Sequence, residues 1–162
     1  MKDNNKGFSY VELILVLAIM AIMVGMIGLS YSLVTRNNVT KAAAKMESVF
    51  NTARITSLSK GSEEGALNIK QENGIIYYGI GKYDPDPDVS TVEWVKFAQH
   101  PVYITLSDGS GNVDLGSSVV TYKFNPSSGA FKVCPYTQVI FSNSRTETTL
   151  TLFKATGKCK VQ

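Results

Sequence analysis

The sequence predicts an α+β fold, a long N-terminal helix with an apolar first half and an amphipathic second half, packed on an antiparallel β-sheet head. Three observations predict it. From Leu13 to Leu29 no residue is charged or strongly polar. From Val39 to Leu58 apolar residues recur every three or four positions. After Gly61 the period shortens to two, and short apolar runs alternate with turn residues. The 162 residues suffice for one domain and an appendage. Four segments follow: a leader at 1–7, an apolar helix for a membrane or filament core at 8–34, its amphipathic continuation at 35–60, and a β-rich head at 61–162.

The leader, MKDNNKG, is short, polar and slightly basic. The apolar run from Leu13 through Val34 is about 22 residues, roughly 30 Å as a helix, which matches the hydrocarbon core of a bilayer. Lys2 and Lys6 ahead of it favour an N-in, C-out orientation, with the head outside the cytoplasm. A secretory signal is the bland competitor, but it needs an apolar stretch of only about 7–15 residues and a small-residue cleavage site. A plain signal anchor fits the run itself.

Glu12 separates these readings. A carboxylate at the start of a membrane helix is costly and needs a partner. Cleavage between Gly7 and Phe8 would create an amine four residues before Glu12. In a staggered assembly the amine of one subunit neutralises Glu12 of the next, and the pair rewards correct register because only matched charges offset desolvation.

Gly7-Phe8-Ser9-Tyr10-Val11-Glu12-Leu13, followed by an apolar helix, resembles the class III signal of type IV prepilins and type II secretion pseudopilins. The resemblance implies a membrane peptidase that cuts after Gly7 and methylates Phe8, with Glu12 as the assembly carboxylate. Prepilin peptidase and other pilin or pseudopilin subunits are the implied partners, and the inner membrane and then a pilus or pseudopilus the implied location. The chain departs from many pilins in having no proline along the apolar run; Gly25 and Gly28 stand there instead.

Along the second half, Val39, Ala42, Ala43, Met46, Val49, Phe50, Ala53, Ser57 and Leu58 form one stripe, with Lys41, Lys45, Glu47, Asn51 and Arg54 on other faces. Gly61 is the expected stop. Strands are predicted at 66–70, 75–80, 92–98, 102–107, 119–124, 131–134, 139–142 and 148–153, punctuated by Glu72-Asn73-Gly74, Asp108-Gly109-Ser110-Gly111, Asn125 to Gly129, and Thr156-Gly157. Ala53-Arg54, Phe124-Asn125-Pro126 leading to Gly129, and Thr156-Gly157-Lys158 look like the minor pseudopilin group typified by GspH and FimT. Its members start or cap filaments, which implies a minor subunit.

Charge narrows the function classes. The formal net charge is +3, and loss of residues 1–7 would lower it to +2, too little to argue for nucleic acid. Lys154, Lys158 and Lys160 share a side of a C-terminal strand if no bulge intervenes, and in some members of the subgroup a glycine followed by basic residues here, matched by Gly157, Lys158 and Lys160, is linked to DNA uptake. A DNA-binding tip subunit is therefore one alternative, a solvated strand edge another. A membrane-anchored domain that never assembles is the third. Cys134 and Cys159 are compatible with a disulfide outside the cytoplasm, or with two small apolar residues. Asp84-Pro85-Asp86-Pro87-Asp88 lacks the glycine and terminal glutamate of an EF-hand and reads as a solvated loop. Neither a metal, a cofactor nor an enzyme is expected: His100 precedes Pro101 in a loop, and no serine has a nucleophile context such as GxSxG.

Overall fold

The computed structural model describes residues 9–86, 88–99 and 101–162, with side chains described outside 25–37 and Gln99. Helical backbone, α1, runs over Tyr10–Lys60. The chain divides into two compact units, Met1–Val34 and Thr35–Gln162. The helical side chains described are those of 10–24, in the first unit, and 38–60, in the second.

This corrects the expectation of one long apolar-then-amphipathic helix packed on an antiparallel sheet. Among the described residues no helix is long and apolar enough to cross a membrane. The core of the head takes its helical side chains from 38–60, and it is shared with two sheets instead of one. The physical reason lies in the pattern. The 38–60 stretch has a single apolar stripe to lay down, whereas residues 10–24 are apolar on every side and offer no particular face to a sheet.

Within the head, Val39, Ala43, Met46, Phe50, Ala53 and Ser57 are fully buried, the stripe expected from their spacing. Leu58 departs from it, at 42 % exposure. The helix stops at Lys60, and the Gly61 amide closes the last turn on the Ser57 carbonyl at 3.0 Å. Among the described residues ten antiparallel strands follow: β1 Leu67–Glu72, β2 Ile75–Ile80, β3 Val95–Gln99, β4 Tyr103–Ser107, β5 Asn112–Asp114, β6 Val120–Phe124, β7 Phe131–Val133, β8 Gln138–Ser142, β9 Glu147–Phe153 and β10 Lys158–Val161. They form two five-stranded sheets, ordered β3-β2-β1-β6-β7 and β10-β9-β8-β4-β5.

Stacking two sheets lets the inward residues of most strands share one core with the helix. Leu67, Ile69, Ile76, Phe97, Tyr122 and Phe124 enter it from the first sheet, and Ile104, Leu106, Val139, Phe141, Leu150 and Leu152 from the second. The β1–β2 hairpin shows how local chemistry sets register. Asn73 and Gly74 both have positive φ, 51° and 73°, as a two-residue turn matching strand twist requires. Glu72 then pairs with Ile75 and Leu67 with Ile80.

Residues 81–86 and 88–94 fold back over the outer face of the first sheet. Asn68, fully buried there, donates to the Gly81 carbonyl at 2.9 Å and accepts from the Thr121 hydroxyl at 2.7 Å. Gly79 lies so close to Val92 that a Cβ would overlap it. The expected strand from Val92 therefore starts only at Val95, because residues 92–94 are still crossing the sheet.

Candidate assembly site

Gly7 and Phe8, the expected cleavage pair, lie outside the described residues. Ser9 caps the helix that follows. Its hydroxyl accepts from the Val11 amide at 3.3 Å, and its carbonyl accepts from Leu13 at 3.1 Å. Ser9-Tyr10-Val11-Glu12 thus has the S-x-x-E spacing of a capping box, with Glu12 in the first turn, where the helix dipole favours a carboxylate. This local role escaped the sequence reading, although the spacing alone signals it.

The helix surface around Glu12 is apolar and open. Glu12 borders a shallow notch of about 310 Å³ with Leu13, Val16 and Leu17. Every described side chain from Tyr10 to Val24 is exposed; among the large apolar ones Val16 is the least so, at 44 %, and Tyr10 the most, at 81 %. So continuous an exposed apolar surface is unusual for a protein surrounded by water.

At the opposite end of the sequence, three separated segments meet. Arg54 of α1 donates through Nε to the Gly129 carbonyl at 2.9 Å. Gly129, after β6, and Gly157, in the β9–β10 turn, approach so closely that a Cβ on Gly157 would overlap the Gly129 carbonyl oxygen. The Phe131 amide donates to the Lys154 carbonyl at 3.0 Å, tying the two sheets together beside this contact. The residues singled out by the narrower resemblance are thereby one structural joint between helix and sheets.

Cys134 and Cys159 are both free thiols. Cys134 donates to the Tyr136 carbonyl at 3.1 Å, and Cys159 to the Glu47 carbonyl at 3.7 Å. Burial raises the Cys134 thiol, against the opposing pull of Lys154. Burial, helped by Glu47, pushes Cys159 up to about 12. Both are therefore protonated and weakly nucleophilic at neutral pH.

The three lysines do not share one strand. Lys158 and Lys160 alternate with Cys159 on edge strand β10 and are exposed, but Lys154 belongs to the preceding turn, on the side of Cys134. Compared with protein-family models, curated proteins and solved structures, the chain finds no match.

The remaining polar clusters are occupied locally. In the acidic loop, Asp84 accepts from the Asp86 amide and Asp86 from the Asp88 amide, each at 3.1 Å. Asp108 accepts from the Ser110 hydroxyl at 2.7 Å and the Ser110 amide at 2.9 Å, which holds its carboxyl below the usual range. Among the described residues no three His, Cys, Asp or Glu side chains are grouped to hold a metal. His100 lies outside the described residues.

Proposed function

We propose that the chain is a minor type IV pilin or pseudopilin, a structural subunit and not an enzyme. A prepilin peptidase cuts it between Gly7 and Phe8 and methylates Phe8. The apolar N-terminal segment holds the chain in the inner membrane, with the head outside the cytoplasm. Neighbouring pilin subunits then draw it into a pilus or secretion pseudopilus, at its start or tip.

The observation that carries this reading is the motif Gly7-Phe8-Ser9-Tyr10-Val11-Glu12 at the head of a helix whose apolar side chains are all exposed between Tyr10 and Val24. Such a helix gains nothing by staying in water. Burying a Leu or Ile side chain is worth about 1.5–3 kcal/mol, and either lipid or a bundle of like helices provides the burial. Glu12 then tips the balance between the two environments. In lipid alone its charge is unpaired, while in a bundle the amine of a neighbouring Phe8 can meet it. The same residues thus serve first as an anchor and then as a filament contact.

The test is the mass of the N-terminal peptide of the protein taken from its native membrane. A chain that begins at methylated Phe8 supports the reading. A chain that still begins at Met1 in the presence of active peptidase overturns it.

A further inference from the structure

On the head, the beginning of the 38–60 stretch, β3 and Pro101-Val102 border an open cleft of about 340 Å³. Its floor is apolar, made by Phe97, Pro101 and Val102, and Asn38, Lys41 and Lys45 stand around it. The two lysines are one helical turn apart, so they lie on the same face of the helix. Lys45 is held in place: its ammonium donates to the Phe97 carbonyl at 3.3 Å and sits 5.0 Å from the centre of the Phe97 ring. That bond uses one of three donors and leaves the others for a ligand. Lys41 is exposed. Among the described residues no acidic side chain lines the cleft.

A cationic rim over an apolar floor selects an amphiphile with an anionic head. A free inorganic anion has no use for Phe97, Pro101 and Val102, and a bare acyl chain has none for the lysines. The place of the cleft in the chain identifies the amphiphile. Lys41 comes seven residues after Val34, where the apolar run ends, and between Val34 and Glu47 stand Arg36, Lys41 and Lys45 but no carboxylate. We propose that this cleft binds the phosphate of an anionic phospholipid, with Lys41 and Lys45 on its oxygens and Phe97, Pro101 and Val102 against its glycerol and first acyl carbons. The site rests on the membrane-anchored reading above and extends it: the head docks on lipid before the subunit is drawn into a filament.

The experiment uses the full chain in neutral detergent micelles, titrated with short-chain phosphatidylglycerol and followed by the amide signals of Ala42, Ala98 and Val102. Saturable shifts are expected. They weaken roughly thirtyfold when both Lys41→Gln and Lys45→Gln are introduced, about fivefold per lysine near an anionic lipid surface, and return with Lys41→Arg and Lys45→Arg. Equal binding of short-chain phosphatidylcholine, or indifference to the glutamine changes, overturns the proposal. The same shifts with inorganic phosphate at the same concentration overturn the lipid source and leave a free-anion site. Cleavage at Gly7 and filament assembly do not enter this titration, so lipid binding can fail in a chain that is processed and assembled, and can succeed in one that is neither.

Discussion

Replacing Gly157 by alanine isolates the joint at Arg54, Gly129 and Gly157. The substitution has two separable costs. Gly157 has φ of 65°, and a left-handed residue with a Cβ costs about 1–2 kcal/mol, partly offset by about 0.4–1 kcal/mol from a less disordered unfolded chain. The second cost is steric, because the new Cβ overlaps the Gly129 carbonyl oxygen. That oxygen must move, and it is the acceptor for Arg54 Nε, a hydrogen bond to a charged group worth about 1.5–3 kcal/mol net. Gly157→Ala is therefore expected to lose about 3 kcal/mol. Gly74→Ala is the control: φ is 73°, but nothing lies within 4 Å of its Cβ, so only the backbone cost of about 0.5–1 kcal/mol remains. Urea unfolding of the full chain, followed by emission of Trp94, the one tryptophan, reads both variants. In an Arg54→Met background the cost of Gly157→Ala should shrink by more than about 1 kcal/mol, since the bond it disrupts is already gone. Equal losses for Gly157→Ala and Gly74→Ala would refute the steric reasoning.

Four further outcomes are expected. Among the described residues the buried Tyr122 hydroxyl has no hydrogen-bond partner, so Tyr122→Phe should stabilise the head by about 1 kcal/mol in the same urea assay; a loss of stability would mean that the hydroxyl is bonded. The Cys159 thiol is raised in the folded chain from its ordinary value of 9.0 to about 12. Its contribution to stability is thus complete below pH 9 and disappears as pH rises towards 12, because the unfolded chain ionises first. Cys159→Ser should flatten the stability profile across that window, and an unchanged slope counts against a buried thiol. Glu12→Ala should abolish incorporation into filaments while leaving the Trp94 unfolding midpoint of the head unchanged; normal incorporation would favour an anchored domain that never assembles. Only Lys158 and Lys160 stand together on β10, so any binding of duplex DNA there should vary with log salt at a slope no steeper than about −1.8. A steeper slope, in binding that Lys158→Gln and Lys160→Gln weaken, would show that other cations join them.

How much of this was legible in the sequence depended on the range of the interaction. Local patterns were readable. Val39, Ala43, Met46, Phe50 and Ala53 repeat at helical spacing and are buried together, and Asn73-Gly74 forced the first hairpin. β5, Asn-Val-Asp, has one apolar residue and is wholly exposed, so no alternation marks it; it exists because Thr105 pairs with Asp114 and Ser107 with Asn112. β10 likewise owes its place to β9, through Lys158 with Phe153 and Lys160 with Thr151. The split into two sheets is not written in any strand, since an inward residue has the same spacing in either arrangement. The error over the helix has the same origin. Continuous apolar sequence from Leu13 to Leu29 says that the segment shuns water, but an apolar surface without a polar side names no face to pack and no neighbour to pack on. The joint at Arg54 is the clearest case of partial legibility. Its residues stand out singly, as a cation on a helix and two glycines in turns. Yet the bond from Arg54 to Gly129 spans 75 positions, and the reason Gly157 must lack a side chain is a carbonyl in another segment. The cleft at Lys41 and Lys45 is legible in the same partial way: the two cations announce themselves on one helical face, but the Phe97 carbonyl that fixes one of them does not. At both places the sequence supplies the charge and the fold supplies its direction, and it is the direction that decides whether a cation holds the protein together or reaches outwards to a ligand.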